Sequence, residues 1–170
     1  MSQIRRWVLL GLVIAAVLLI DQGTKAIVLA NLVVGESAQP IPALQDFFQI
    51  TLTENRGAAF GFLPQGGDMF LIIAVIVVIA MVFVYPRLEA DQWAARVAVG
   101  MVCGGALGNA LDRLQHGAVI DFVHLQIPGV ISNVSNLADH AIVLGVIIML
   151  IISWRTDSKP KDHAEASTEP

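Results

Sequence analysis

Long runs of apolar residues constrain the fold of this chain more than any other feature of its sequence. The plainest run, residues 69–85, has seventeen apolar residues without interruption and ends at Pro86 and Arg87. A helix needs about 20 predominantly apolar residues to cross the hydrocarbon of a bilayer. Hydrophobic residues make up 56% of the chain, charged residues only 14%, and the mean hydropathy is +0.72. These values indicate an integral membrane protein rather than a water-soluble globule.

The first apolar run looks like the core of a secretory signal peptide, because fourteen apolar residues, 7–20, follow Arg5 and Arg6. A cleavable signal peptide would end in small residues of the A-x-A type. This chain continues instead through the polar segment 21–25 into more apolar residues. We therefore expect a retained first helix. The sequence predicts four membrane-spanning helices, at about residues 7–29, 68–86, 93–112 and 137–154. Glycines in the third are expected to let helix backbones approach closely.

The basic residues are distributed unevenly between the two ends of these helices, which predicts the orientation of the chain. Cytoplasmic loops carry the excess of lysine and arginine. Seven basic residues flank one end, namely Arg5, Arg6, Arg87, Arg96, Arg155, Lys159 and Lys161, and three flank the other, namely Lys25, Arg56 and Arg113. Both termini are therefore expected in the cytoplasm, with segments 30–68 and 112–136 on the outer side.

Outside the helices, the sequence predicts a small sheet and a polar tail. Residues 48–53 alternate between apolar and polar side chains, as a half-buried strand does. The predicted fold is an all-α polytopic membrane protein with a small extracytoplasmic β-rich segment between helices 1 and 2. Residues 1–155 are expected to form a single membrane-embedded domain, and residues 156–170 a disordered cytoplasmic tail.

Several kinds of chemistry are excluded by composition and spacing. The chain has no basic stripe that would bind nucleic acid. Its single cysteine, Cys103, lies in an apolar run, which leaves neither a disulfide framework nor a thiolate metal site. No serine lies in a nucleophile-elbow setting, and the histidines are too scattered for a zinc motif such as H-E-x-x-H. Carboxylates remain as the candidates for chemistry.

Polar residues gather at the predicted outer ends of helices 1 and 3, where membrane burial makes them costly. Asp21 and Lys25 are four residues apart, so they face the same direction and can pair. A structural ion pair and a direct catalytic role are equally compatible with that spacing. Asn109, Asp112 and Arg113 share one helix face, where they either bind a polar group or close the helix, with Asp112 paired to Arg113.

Two further carboxylates flank the predicted start of helix 4. Asp121 stands between apolar neighbours, and such surroundings raise the pKa of a carboxyl group. Asn136 can cap the helix N-terminus, and Asp139 then lies at its third position without any catalytic role. Two carboxylates in one poorly solvated site cannot both ionise readily, so they would share a proton and activate a water between them.

Five short segments combine polar residues with glycine or apolar residues. They read DQGTK at 21–25, NRGAAF at 55–60, GGALGNALDR at 104–113, VIDF at 119–122 and NLAD at 136–139. Together they resemble the family of lipoprotein signal peptidases, also called signal peptidase II. They occur in the family's order, on four spans of the family's orientation, over about residues 5–155.

The resemblance implies an activity, a location and a set of partners. It implies an intramembrane aspartic endopeptidase that cleaves prolipoproteins immediately before a cysteine carrying diacylglyceryl. The site would lie at the outer face of the bacterial cytoplasmic (inner) membrane. No metal and no organic cofactor is implied. Prolipoprotein substrates and membrane lipid are the expected partners, nucleic acid is not, and the chain is expected to be a monomer.

The resemblance also assigns roles by position. Asp121 and Asp139 match the catalytic dyad. The residues that match a polar set orienting the substrate and the dyad are Asn55, Asn109, Arg113 and Asn136. Those that match structural or supporting positions are Asp21, Lys25, Gly57 and Asp112.

The chain departs from the family beside its last motif. The family usually has an aromatic residue where this chain has Ser135, and a small hydroxyl residue where it has His140. The loop 123–135 also lacks the aromatic cluster expected there. These departures bear on substrate grip and rate rather than on the type of reaction.

Two non-enzymatic alternatives have to be weighed. Buried acids also mark proton paths, so the chain could be a small proton-coupled membrane carrier or channel subunit. The acids cluster at one face instead of crossing the bilayer, which argues against that function. A non-catalytic scaffold that binds lipoproteins would use the same groove, and the presence of both Asp121 and Asp139 argues against it.

Overall fold

Four long helices form the body of the molecule. The computed structural model describes residues 2–57, 67–89 and 92–157. Within these ranges, four helices are long and apolar enough to cross a membrane, which confirms the predicted number and order of spans. They are α1 (Gln3–Asn31), α2 (Gly67–Val84), α3 (Trp93–His116) and α4 (Leu137–Asp157).

The helix ends differ from the predicted ends by a few residues, for local reasons. α2 gives way to one 3-10 turn, Tyr85–Arg87, because Pro86 has no backbone N–H to continue the helix. α3 runs past residue 112 to His116 and stops where Gly117 adopts a left-handed conformation, with a φ of 70°. α1 and α4 also exceed the predicted spans, because a helix can continue past the hydrocarbon into polar residues. Residues 158–170 of the predicted tail, and 58–60 of the second motif, lie outside the described residues.

α3 is the central helix and packs against the other three. Glycine allows its backbone to approach α1 closely. A Cβ atom on Gly100 would lie 2.7 Å from the side chain of Val13, and one on Gly104 would lie 2.7 Å from that of Val17. Such contacts suit a bilayer, where dispersion rather than the hydrophobic effect holds helices together. The predicted packing role of these glycines is confirmed.

A four-stranded antiparallel sheet lies at the end of the bundle where α1 and α3 terminate. Its strands lie side by side in chain order: β1 (Ser37–Ala38), β2 (Phe48–Asn55), β3 (Val119–Ile127) and β4 (Ile131–Ser135). A 3-10 turn, Pro42–Leu44, separates the first two. β1 and β2 confirm the predicted β-rich segment between helices 1 and 2. β3 and β4 come from the connection between α3 and α4, where no strand was predicted.

The pairing of β2 with β3 positions the end of β2 beside Asp121. In this register Thr53 lies opposite Asp121, and Asn55 lies opposite Val119. An apolar cluster fixes the sheet to the end of α1, and its buried members are Val28, Leu52, Ile120, Phe122 and Val123. The position of Asp121 relative to the helices is therefore set by the packing of its neighbours in β3, Ile120 and Phe122 among them.

Candidate active site

A small cavity lies where α3, α4 and the sheet meet, and most of the residues predicted for the site surround it. Its volume is about 70 Å³. The predicted residues that line it are Asn55, Gly57, Asn109, Arg113, Asp121 and Asp139. Sequence reasoning missed Asn133 and Val134 of β4, which also line it, because no motif marked that strand. Asn136 is fully buried and bonds to the lining residues.

Asp121 is almost fully buried and accepts hydrogen bonds on both carboxylate oxygens. Asn55, the last residue of β2, donates from Nδ2 to Oδ2 at 3.0 Å. Asn136 donates from Nδ2 to Oδ1 at 2.7 Å. The side chain is therefore held in one orientation by two groups that do not titrate near neutral pH.

Asp139 is held by α3 and by the N-terminus of its own helix. Asn109 donates from Nδ2 to its Oδ1 at 2.7 Å. The backbone N–H of Asp139 donates to Oδ1 of Asn136 at 2.9 Å, which confirms that Asn136 caps α4. Asn136 also donates to Oδ1 of Asn109 at 3.1 Å. A chain of amides thus connects the two carboxylates: Asp121 to Asn136, Asn136 to Asn109, and Asn109 to Asp139.

Burial makes Asp121 a weaker acid than an ordinary aspartate. Loss of hydration raises the pKa of Asp121 from its ordinary value of 3.8 to about 6. The hydrogen bond from Asn55 opposes this increase, the negative charge of Asp139 adds to it, and Asn136 and Lys25 lower the pKa again. Near pH 6 this carboxyl group can therefore be present in either protonation state, as a proton-transfer group must be.

Asp21, Lys25 and Asp112 form a separate buried cluster beside the cavity. Lys25 Nζ lies 2.7 Å from Oδ2 of Asp21 and 2.7 Å from Oδ2 of Asp112. The expected pairing of Asp21 with Lys25 is confirmed. The expected pairing of Asp112 with Arg113 is wrong, because Asp112 faces α1 and forms its ion pair with Lys25. Gln22, which sequence reasoning left without a role, donates to Oδ1 of Asp112 at 2.8 Å.

This cluster also holds the backbone next to each candidate dyad residue. Asp112 accepts the backbone N–H of Ile120, directly before Asp121, at 3.1 Å. Asp21 accepts the backbone N–H of Ala138, directly before Asp139, at 2.9 Å. None of the three cluster residues lines the cavity. Of the two roles open for Asp21 and Lys25, the geometry supports the structural one.

Arg113 and Gly57 connect the end of α3 to the segment after β2. Arg113 donates from Nη1 to the carbonyl oxygen of Asn109 at 3.2 Å and from Nη2 to that of Gly57 at 3.4 Å. Gly57 N–H donates to Oδ1 of Asn55 at 3.0 Å. The buried Arg113 Nε has no hydrogen-bond partner among the described residues. Arg113 also lines the cavity, where its guanidinium can bind a carbonyl or carboxylate oxygen.

An apolar cavity of about 250 Å³ adjoins the polar one. The two cavities share Asn109 and Arg113. The apolar cavity lies between α2, α3 and α4, and among its lining residues Phe70 stacks against Arg113, with 5.4 Å from the guanidinium carbon to the ring centroid. A ligand with adjacent polar and apolar parts can therefore occupy both cavities at once.

The two departures from the family motif contact each other. His140 Nε2 lies 3.2 Å from Oγ of Ser135, whose hydroxyl also donates to the carbonyl oxygen of Val123 at 3.4 Å. This contact joins the end of β4 to the first turn of α4. Ser135 and His140 thus connect the two ends of the segment that carries Asn136 and Asp139.

Comparison with known sequences identifies the family. Residues 13–155 match the sequence model of the family described as Signal peptidase (SPase) II. A protein named lipoprotein signal peptidase from Desulfitobacterium hafniense is 38% identical over 156 residues, which cover 91% of this chain and 96% of that protein. A protein of the same name from Geobacillus kaustophilus is 41% identical over 137 residues, which cover 81% of this chain and 87% of that protein.

Comparison with solved structures gives the same result. A structure described as a bacterial membrane enzyme superposes with a TM-score of 0.79 at 33% identity, covering 90% of this chain and 92% of that chain. Sequence and structure therefore agree over most of the chain's length, and this chain belongs to the signal peptidase II family.

Proposed function

We propose that this protein is an aspartic endopeptidase that removes the signal peptide from diacylglyceryl-modified prolipoproteins, cleaving immediately before the lipidated cysteine. One observation carries the proposal. Asp121 and Asp139 line the same small cavity and are connected through amide side chains, and the pKa of Asp121 is raised to about 6. The names of the relatives supply the substrate class.

In this mechanism the two carboxyl groups divide the proton transfers. A cavity of about 70 Å³ has room for one or two waters. Asp139 accepts a proton from the water whose oxygen attacks the scissile carbonyl carbon. Asp121, in the protonated form that its raised pKa makes available near pH 6, donates a hydrogen bond to the carbonyl oxygen. On collapse of the tetrahedral intermediate, the proton that Asp139 took from the water passes to the leaving amide nitrogen and the C–N bond breaks, which restores both carboxyl groups to their starting states.

The residues around the dyad position the substrate. Asn55 and Arg113 line the cavity and can donate to the backbone carbonyls of an extended peptide. The apolar cavity between α2, α3 and α4 receives the apolar part of the substrate next to the scissile bond. The substrate's acyl chains can then stay in the bilayer while its peptide bond reaches water.

The location follows from the same arrangement. The candidate dyad lies at the sheet end of the bundle, and five of the seven described arginines lie at the opposite end, namely Arg5, Arg6, Arg87, Arg96 and Arg155. Arginine-rich ends face the cytoplasm. The site then opens at the outer face of the bacterial cytoplasmic membrane, and both termini are cytoplasmic. The mechanism uses the chain's own carboxylates as a monomer and requires no metal or cofactor.

The carrier alternative has less support. The buried acids of the described residues, Asp21, Asp112 and Asp121, all lie at the sheet end of the helices. A proton path would need titratable groups at several depths of the membrane. The scaffold alternative differs from a protease only in turnover, so an assay of cleavage separates them.

The proposal is tested with the purified protein and two forms of one prolipoprotein. We expect cleavage of the diacylglyceryl-modified form, seen as a mobility shift on a gel, and none of the unlipidated precursor. The mass of the released peptide should place the cut directly before the modified cysteine. Binding of the lipidated form without cleavage would favour the scaffold, and cleavage of both forms would contradict the proposed specificity.

A further inference from the structure

A second polar cavity lies at the end of the bundle opposite the candidate dyad. Its volume is about 340 Å³. It is lined by Gln3, Arg6 and Trp7 from the start of α1, Tyr85 and Pro86 from the turn after α2, and Arg96 from α3. Two of these six residues are arginines and none is acidic. The cavity thus concentrates positive charge where three helices converge.

Arg96 brings a buried charge to this cavity. The residue is 0% exposed, and its guanidinium donates to the carbonyl oxygens of Tyr85, Leu88 and Glu89. These bonds close the chain reversal between α2 and α3. Among the described residues, however, no carboxylate pairs with Arg96, and its Nε has no hydrogen-bond partner. A buried charge without a counter-ion is costly, so an anion in the cavity would be stabilised.

Aromatic residues place the cavity at the level of the lipid headgroups. Trp7 packs against Tyr85 with 5.2 Å between ring centroids, and Tyr85 donates its hydroxyl to the backbone carbonyl of Arg6. Trp and Tyr prefer the membrane interface, where one side of the ring is apolar and the other is hydrated. Exposed apolar residues of α1, such as Ile4 and Val8, lie next to the cavity in sequence. A ligand held there would have an anionic head and apolar chains.

We propose that this cavity binds the phosphate headgroup of an anionic phospholipid of the adjacent leaflet. Arg6 and Arg96 supply the positive charge, and the acyl chains lie along the apolar surface of the helices. Basic pockets between transmembrane helices bind anionic headgroups. Arg6, which is partly exposed, can donate to phosphate oxygens, and the buried Arg96 adds its charge behind the cavity wall. The bound lipid would neutralise Arg96 and stabilise the junction of α1, α2 and α3.

Native mass spectrometry of the full-length protein in a neutral detergent tests this proposal. The probes are dioleoyl phosphatidylglycerol and, as the zwitterionic comparison, dioleoyl phosphatidylcholine. We expect preferential retention of phosphatidylglycerol, reduced about fivefold or more by Arg6→Gln, because one basic side chain is lost. The backbone carbonyl that Tyr85 contacts is kept in this variant. Arg5→Gln is the matched control, since Arg5 is exposed and outside the lining, and it should retain the lipid as the wild type does.

A second variant keeps the test decisive if Arg6→Gln does not fold. Gln3→Glu adds a negative charge at an exposed lining position and should reduce phosphatidylglycerol retention to a similar extent. Equal retention of the two lipids, or full retention by both variants, would overturn the proposal. Displacement of phosphatidylglycerol by millimolar inorganic phosphate would also overturn it, by showing a general anion site; we expect no displacement, because the acyl chains contribute to binding.

Discussion

Asparagine side chains hold both carboxylates of the site in place. An amide has two N–H donors and one acceptor oxygen, so Asn136 can donate to Asp121 and to Asn109 while it accepts the backbone N–H of Asp139. These bonds fix the geometry without adding another titrating group. They also tune acidity, because a hydrogen bond donated to a carboxylate stabilises its charged form.

The hydrogen bond from Asn55 should be visible in the pH dependence of the enzyme. It lowers the pKa of Asp121, which burial raises to about 6. If Asp121 acts in its protonated form, kcat/KM of the wild type should decline as the pH rises past about 6. Asn55→Ala removes the opposing hydrogen bond and raises this pKa further. The alkaline limb of the kcat/KM profile should therefore move to higher pH, while the maximal rate falls.

The matched control for this experiment is Gln49→Ala. Gln49 lies on the same strand, is hydrogen-bonded to the carbonyl oxygen of Gln45, and does not contact Asp121. Its profile should coincide with that of the wild type. A shift of the Asn55→Ala limb to lower pH would show that the sign of the coupling is wrong. The apparent pKa values read from these kcat/KM profiles belong to the pair of carboxyl groups rather than to either residue alone.

The sequence predicts the identity of these residues better than their contacts. The resemblance assigned Asp121 and Asp139 to one dyad, and both line one cavity. The amide bridge could not be predicted, because Asn109 in α3 and Asn136, which caps α4, lie 27 positions apart. Spacing along one helix made Arg113 the nearest partner for Asp112. Asp112 pairs instead with Lys25 of α1, because helix packing brings Lys25 Nζ to 2.7 Å from Oδ2 of Asp112.

At the scale of secondary structure, the buried Lys25 cluster joins four elements at one point. It links α1 to α3 through the ion pairs, β3 through the N–H of Ile120, and α4 through the N–H of Ala138. Both segments that carry the candidate dyad are thereby tied to α1. Loss of the Lys25 cation should therefore weaken the attachment of α3, β3 and α4 to α1 at the same time.

Lys25→Met removes that cation and leaves two buried carboxylates facing each other. Breaking a buried pair costs about 3–5 kcal/mol of the free energy of unfolding, because the remaining charge is uncompensated. Arg56→Gln is the control: it breaks an exposed pair with Glu54, at 3.5 Å, and should cost less than about 1 kcal/mol. Unfolding of the purified proteins in detergent measures both. Equal stability of the two variants would contradict a structural role for the cluster.

The close approach of α1 and α3 depends on Gly104. An added Cβ would lie 2.7 Å from Cβ of Val17, so Gly104→Ala should separate the helices and cost about 1–3 kcal/mol. Gly11→Ala is the matched control, because no atom lies within 4 Å of its added Cβ. We expect lower thermal stability and lower peptidase activity for Gly104→Ala only. Wild-type behaviour of both variants would mean that the helices are not in contact at this position.

Elements differ in how far the sequence reveals them. The four spans were predictable because each is a long apolar segment, and β2 because its side chains alternate. β3 begins with five buried residues in succession, so it lacks the alternation that marks a strand. Its pairing with β2 joins parts of the chain about 70 residues apart, so no local pattern marks the pair.

At the scale of the whole molecule, the uneven distribution of arginine and lysine should determine how the chain inserts. Fused after Pro170, a reporter that works only in the cytoplasm should be active and one that works only after export should be inactive. Inserted after Glu36, between α1 and β1, the same two reporters should give the opposite result. Paired fusions of a cytoplasm-active fluorescent protein and an export-dependent phosphatase measure this. The opposite pattern would place the candidate dyad on the cytoplasmic side and contradict the proposed access of substrate.

Proton transfer by Asp121 and Asp139 is the central step of the proposed mechanism. Its most direct test is the rate of cleavage of a diacylglyceryl-modified prolipoprotein by Asp121→Asn and Asp139→Asn. Asparagine nearly preserves volume but cannot transfer the proton, so both variants should fold and bind substrate yet lose at least about 100-fold in rate. Asp46→Asn, at an exposed position, should cleave as the wild type does. Cleavage at the wild-type rate by either dyad variant would contradict the account.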